Sequence, residues 1–94
     1  MKPIMKIFDV HPISNQGVVI GGTNAVLDTF SREEIQALIG KQIEIHTLKS
    51  ILSADVVDVE VTSSLSGKKN IFILLPQAIN QSNIEKESIV YRVP

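Results

Sequence analysis

Along most of the chain apolar positions recur with a period of two, and a longer period is confined to one short stretch. Ile4 to Ile13 reads as a first strand, which Pro12 ends or places at a sheet edge. Ser14-Asn15-Gln16-Gly17 reads as a turn, with Asn and Gly available for positive φ. Val18-Val19-Ile20 opens a second, β-branched strand. Gly21-Gly22 breaks the regular ladder and predicts a bulge or the close approach of another backbone, and strand character resumes near Ala25 to Asp28. Ser31 is followed three residues later by Glu34, the signature of a capping box, and Glu33 lies near the positive end of the helix dipole. Ile35, Leu38 and Ile39 form one apolar stripe, and Gly40 supplies a positive-φ terminator. The spacing predicts a helix over 31–39, too short to stand without packing on a sheet.

Beyond Lys41 the period returns to two. Gln42-Ile43-Glu44-Ile45-His46 alternates cleanly, as a half-buried strand does. Asp55 to Val61 repeats the pattern, with Val57, Val59 and Val61 on one face and Asp58 and Glu60 on the other. Ser63 to Gly67 is a turn. Asn70 to Leu75 is a nearly continuous apolar run, expected to be covered on both faces, and Pro76 stops it. Gln77 to Glu87 is polar, anchored by Ala78, Ile79 and Ile84, and Ser88 to Val93 is a last strand. Short strands with turn signals and no βαβ alternation predict a mainly β fold. The expected architecture is an antiparallel six-stranded barrel, with one short helix inserted between the second and third strands. Val57, Val59, Val61, Ile71, Ile73 and Leu75 are its expected core.

Composition narrows the function. With 94 residues the chain fits a single domain, 1–94. Nine basic and ten acidic residues leave a net charge of −1, without the basic excess that phosphate neutralisation rewards. DNA is therefore not an expected partner, and RNA would need a local patch. The chain has no cysteine, so disulfides and thiolate metal sites are excluded, in keeping with a reducing cytosol. The longest uncharged apolar run, Ile71 to Leu75, falls far short of the ~20 residues that span a bilayer. Lys6 and Asp9 interrupt the opening stretch before an apolar signal region could form. A cytoplasmic protein with no membrane contact is expected.

Little in the chain carries catalytic chemistry. His11 and His46 each have an acid nearby, Asp9 and Glu44, as a zinc or acid–base pair would. They are far apart in sequence and lack a third ligand, so both read as surface or edge-strand histidines. Gly21-Gly22 lacks the lysine and third glycine of a phosphate loop. No serine sits in a nucleophile elbow or a Ser-x-x-Lys arrangement. Ser66-Gly67-Lys68-Lys69 holds the one basic doublet, either a phosphate contact or a solvated tip, and Glu85-Lys86-Glu87 reads as solvated surface. No catalytic residue, cofactor or metal is expected, and the chain reads as non-enzymatic.

The order of segments in the second half is familiar. Val57-Asp58-Val59-Glu60-Val61 is followed by a turn containing Gly67, then Asn70-Ile71-Phe72-Ile73-Leu74-Leu75. A polar stretch ending Asn83-Ile84-Glu85-Lys86 then leads into Ile89-Val90-Tyr91. This order resembles the β-barrel second domain of translational GTPases such as elongation factor Tu. More loosely, Phe8-Asp9-Val10 with Gly17-Val18-Val19-Ile20-Gly21 resembles the opening of that domain. Leu38-Ile39-Gly40-Lys41-Gln42-Ile43-Glu44-Ile45 resembles its approach to the third strand. The chain departs from the pattern in its helix, in Asp58 before the Val-Glu pair, and in Glu87 where the family has a turn glycine. The GTPase motifs are missing. The resemblance implies a role for Glu60, which matches the family's glutamate at the aminoacylated adenosine. Ser63 and Pro76 stand where the family has basic residues. Glu60, Lys68 and Lys69 are thus the candidate binding residues. The expected function is a stand-alone translation-factor-like barrel that binds a protein partner. The alternative is an RNA- or ribosome-associated accessory protein.

Overall fold

The computed structural model describes residues 3–93. Seven strands occupy the described residues: β1 (Pro3–Ile13), β2 (Gly17–Thr23), β3 (Gln42–His46), β4 (Ile51–Asp55), β5 (Asp58–Ser63), β6 (Lys69–Leu75) and β7 (Ile89–Arg92). They form one sheet in the order β4-β3-β7-β1-β2-β6-β5, and every neighbouring pair is antiparallel. The helix α1 (Arg32–Ile39) lies between β2 and β3. The expected antiparallel, mainly β architecture with one short helix is what forms, as a barrel-like sheet that does not close.

The end strands β4 and β5 are separated by only Val56 and Val57. These two residues carry the chain from one edge of the sheet to the other, so the sheet must curl until its edges converge there. Val56 N–H donates to the Lys41 carbonyl at 2.9 Å on one side, and Val57 N–H donates to the Leu74 carbonyl at 2.9 Å on the other. Helix α1 packs beside β5, where the Gln36 amide donates to the Val59 carbonyl at 3.2 Å. Its capping box is complete: Ser31 Oγ accepts from Glu34 N–H at 3.1 Å, and Glu34 Oε1 accepts from Ser31 N–H at 2.9 Å. Gly40 ends the helix at φ 72°.

Ile35 and Ile39 of α1 join Ile20, Ile43, Ile45, Ile71, Ile73, Leu75 and Val90 in one buried cluster. In β6 the alternation hidden in the apolar run becomes visible. Ile71, Ile73 and Leu75 are buried, whereas Phe72 and Leu74 are only half-buried on the opposite face. The expectation that both faces are covered therefore holds for one face alone. A bulge at Ile4 explains how Ile4 and Met5, adjacent in sequence, are both buried, because the register with β7 shifts between Pro3 and Met5.

Four local expectations are corrected. The count is seven strands, because Ile51-Leu52-Ser53-Ala54-Asp55 is a strand whose pattern is blurred by a small buried residue, Ala54. The stretch 55–61 is not one strand, since it breaks at the crossing between the sheet's edges. Val57 lies in that crossing and is 56% exposed, not core, while Val59 is half-buried at an edge and Val61 is buried. Residues Ala25–Thr29 form a 3-10 turn, not a strand, started by Asn24 Oδ1 accepting from Val26 N–H at 3.0 Å. Competition from such a short polar side chain for backbone donors favours a turn over a ladder.

Candidate functional site

The registers set out the surface that faces away from the core. Pairing His11 with Val19, Val19 with Leu74 and Leu74 with Asp58 makes one row across β1, β2, β6 and β5. Asp9, Gly21, Phe72 and Glu60 make the next. The centre of this four-stranded face is apolar and its flanks are polar. An open groove of about 450 Å³ lies over it, lined by His11, Ile13, Gln16, Val19, Asp58, Glu60, Thr62, Phe72 and Leu74.

Two local features shape the centre. The register of β1 shifts between Ile7 and Asp9, so Phe8 is the extra residue of a bulge opposite Gly22 and Gly21. The bulge turns Phe8 outward, where it stays 44% exposed and meets Phe72 edge to face, with centroids 6.2 Å apart and planes at 83°. Gly21 lies beneath both rings. A Cβ there would come within 2.9 Å of the Phe72 ring and 3.3 Å of Phe8 Cζ, so the missing side chain is the room the rings occupy. The sequence signal at Gly21-Gly22 is thus explained by a bulge in the neighbouring strand.

The flanks carry carboxylates. Asp58 Oδ1 accepts from the Val59 N–H at 2.8 Å, which orders that side chain at the start of β5. Glu60 projects from the same face two residues on, exposed, and is absent from the ion pairs among the described residues. Across the groove, His11 Nδ1 lies 3.1 Å from Asp9 Oδ2. Among the described residues no lysine or arginine lines the groove.

The three residues singled out from sequence do not converge. Glu60 stands on the ridge between the groove and a second depression, which it shares with Arg32 and Lys69. Lys69 is tied into the fold: its N–H donates to Asp28 Oδ1 at 2.9 Å and its ammonium donates to the Asp28 carbonyl at 3.3 Å. Lys68 sits apart on the β5–β6 hairpin, exposed, its N–H donating to Ser64 Oγ at 3.2 Å. Phe8, Val19, Phe72 and Leu74 went unremarked as surface, because apolar residues in a strand read as core unless the register is known.

The second histidine lies on another strand, away from the groove. His46 Nε2 lies 3.2 Å from Glu44 Oε1, and its ring packs on Tyr91 with centroids 4.2 Å apart. Each histidine thus pairs with the acid two residues before it, on separate strands. Among the described residues no group of three or more His, Asp or Glu is arranged to hold a metal ion, and no helix is long and apolar enough to cross a membrane. Compared with known proteins, the chain matches no family model and no curated sequence.

Proposed function

We propose that this chain is a non-enzymatic, cytoplasmic binding module, a translation-factor-like β-barrel whose outer β1-β2-β6-β5 face recognises a protein partner. The observation that carries this reading is the exposed Phe8 beside Phe72, Val19 and Leu74 on a face turned away from the core. Apolar side chains gathered on one surface and rimmed by polar ones mark a place where another molecule excludes water. The partner is read as protein because no cation among the described residues lines the groove, and the ammonium of Lys69 is already engaged with Asp28. A phosphate backbone would meet Asp58 and Glu60 instead.

One backbone feature supports kinship with the barrel of translational GTPases. Glu87 adopts φ 77°, the region that favours glycine, at the position where that barrel has its turn glycine. Its N–H donates to the Ile7 carbonyl at 2.9 Å and its carboxylate reaches Lys6 Nζ at 2.6 Å, holding the turn before β7 against β1. A glycine-like backbone at this turn supports the reading even though the residue differs.

The test is affinity capture from native extract with the wild-type chain and with Leu74→Asp, each with and without nuclease. A protein retained after nuclease and lost with Leu74→Asp supports the reading. Material lost on nuclease treatment, together with RNA affinity that falls steeply with salt and is unchanged by Leu74→Asp, overturns it. That outcome would favour the accessory RNA-binding role through Lys68.

A further inference from the structure

The geometry points to a definite chemistry for the occupant of this groove: a protein segment that lays an apolar side chain on Phe72 and Leu74 and sets a lysine or arginine between Asp58 and Glu60. This rests on the reading of the outer face as a binding surface and adds the partner's character. Leu74 is paired with Asp58 and Phe72 with Glu60, so each outward-facing apolar position of β6 has a carboxylate directly beside it on β5. A long cationic side chain matches that layout, because its methylene stem covers apolar surface while its head stays with the carboxylates. An arginine stem crossing the Phe72 ring would also meet the negative face of an aromatic.

Neither carboxylate forms an ion pair among the described residues. Asp58 spends one oxygen on its own strand, and no cationic side chain among those residues lines the groove. A purely apolar partner would leave both charges facing it across a partly dried surface, and an acidic one would be repelled. A second copy of this chain is a poorer occupant. Its exposed Leu65 and Lys68 lie on the hairpin, a different surface, and such head-to-tail contacts generate open chains rather than closed pairs.

The experiment titrates three peptides of one length into the isotopically labelled chain and follows backbone amides by NMR. One carries a leucine flanked by arginines, one the same leucine flanked by glutamines, and one the same leucine flanked by glutamates. The arginine peptide is expected to move the amides of Val19, Gly21, Phe72 and Leu74, and to bind at least about threefold more tightly than the glutamine peptide. Its advantage should shrink as salt rises and vanish in the double variant Asp58→Asn, Glu60→Gln, whose unchanged spectrum elsewhere reports an intact fold. Equal binding of the arginine and glutamine peptides at this face overturns the inference while leaving the face as a binding surface. Shifts confined to other strands, or shifts that appear with chain concentration alone, overturn it as well. In the first of these cases the proposed function fails too if Leu74→Asp also leaves capture of the native partner unaffected.

Discussion

Ile73 and Leu74 are neighbours in β6 with side chains of the same size, and they do opposite things. Ile73 is fully enclosed and pairs with Val59 on the inner face, while Leu74 is half-buried beside Asp58 on the outer one. Alternation along a strand sends them to different surfaces. The inner face is complete, with Ile71, Ile73 and Leu75 all at 0% exposure. The centre of the outer face is apolar as well, but among the described residues only the bulged Phe8 packs over Phe72 there. A strand that is hydrophobic on both faces therefore has two separable roles here, one in holding the sheet together and one in presenting a surface.

The widest separation is expected from truncating the two neighbours. Ile73→Ala should destabilise the chain by about 2–5 kcal/mol, the lost transfer energy plus a cavity that the sheet cannot collapse. Leu74→Ala should cost less than about 1.5 kcal/mol, because water already reaches the site. Denaturant unfolding of both variants decides it. Equal losses would mean that the outer face is as tightly packed as the core, and the contrast would be gone.

The next effect tests how the outer face is built. Gly21→Ala places a methyl group against the rings of Phe72 and Phe8, which must swing away. Overpacking of this kind costs about 1–3 kcal/mol, at the lower end here because Phe8 can move toward solvent. Ring-proton shifts of both phenylalanines should change. If they do not, the glycine is not what seats the rings.

How far this division could be read from sequence differs by residue. The capped helix was legible because Ser31, Glu34 and Gly40 act within a few residues of one another. Burial of Ile71, Ile73 and Leu75 was legible from the strength of the strand signal. Val57 was not, since its exposure follows from the chain crossing between sheet edges, a property of topology. The groove was not legible either: a bulge at Phe8 and the register of three strand pairs decide which apolar residues face out, and Gly21-Gly22 hinted at it only as an irregularity. Glu60 was found through resemblance and its place on one face with Asp58 through the alternation, and the structure adds that Phe72 and Leu74 lie beside them.

A smaller effect concerns the edge where the two faces end. Helix α1 covers β5 through the Gln36–Val59 hydrogen bond, so loosening the helix should expose that edge. Ser31→Ala removes the cap and should cost about 1 kcal/mol. The bonds from Ser31, its backbone N–H first and its hydroxyl second, hold the Glu34 carboxyl below its ordinary value of 4.5, with desolvation acting in the opposite direction. A depressed carboxyl contributes its stability above the ordinary value and loses it as pH falls through the lower folded one. Unfolding midpoints should therefore drop on acidification through and below pH 4.5, and part of that drop should disappear in Glu34→Gln.

The smallest effect is the one that most directly separates stability from recognition. Asp58 and Glu60 lie on the same face of β5 with one residue between them, both exposed. Two like charges at that spacing repel weakly through solvent, and neither carboxylate pairs with a cation among the described residues. Glu60→Gln deletes one charge and keeps the shape. Its stability should stay within about 0.5 kcal/mol of wild type, on the stabilising side at low salt and at no difference once salt screens the pair. Asp58→Asn is the useful contrast, because it also weakens the acceptor of the Val59 N–H. It should lose a few tenths of a kcal/mol that salt does not restore. A marked loss of stability in Glu60→Gln would mean that this carboxylate supports the fold. It would then belong with Ile73 rather than with Leu74, and the outer face would no longer be a surface held apart from the core.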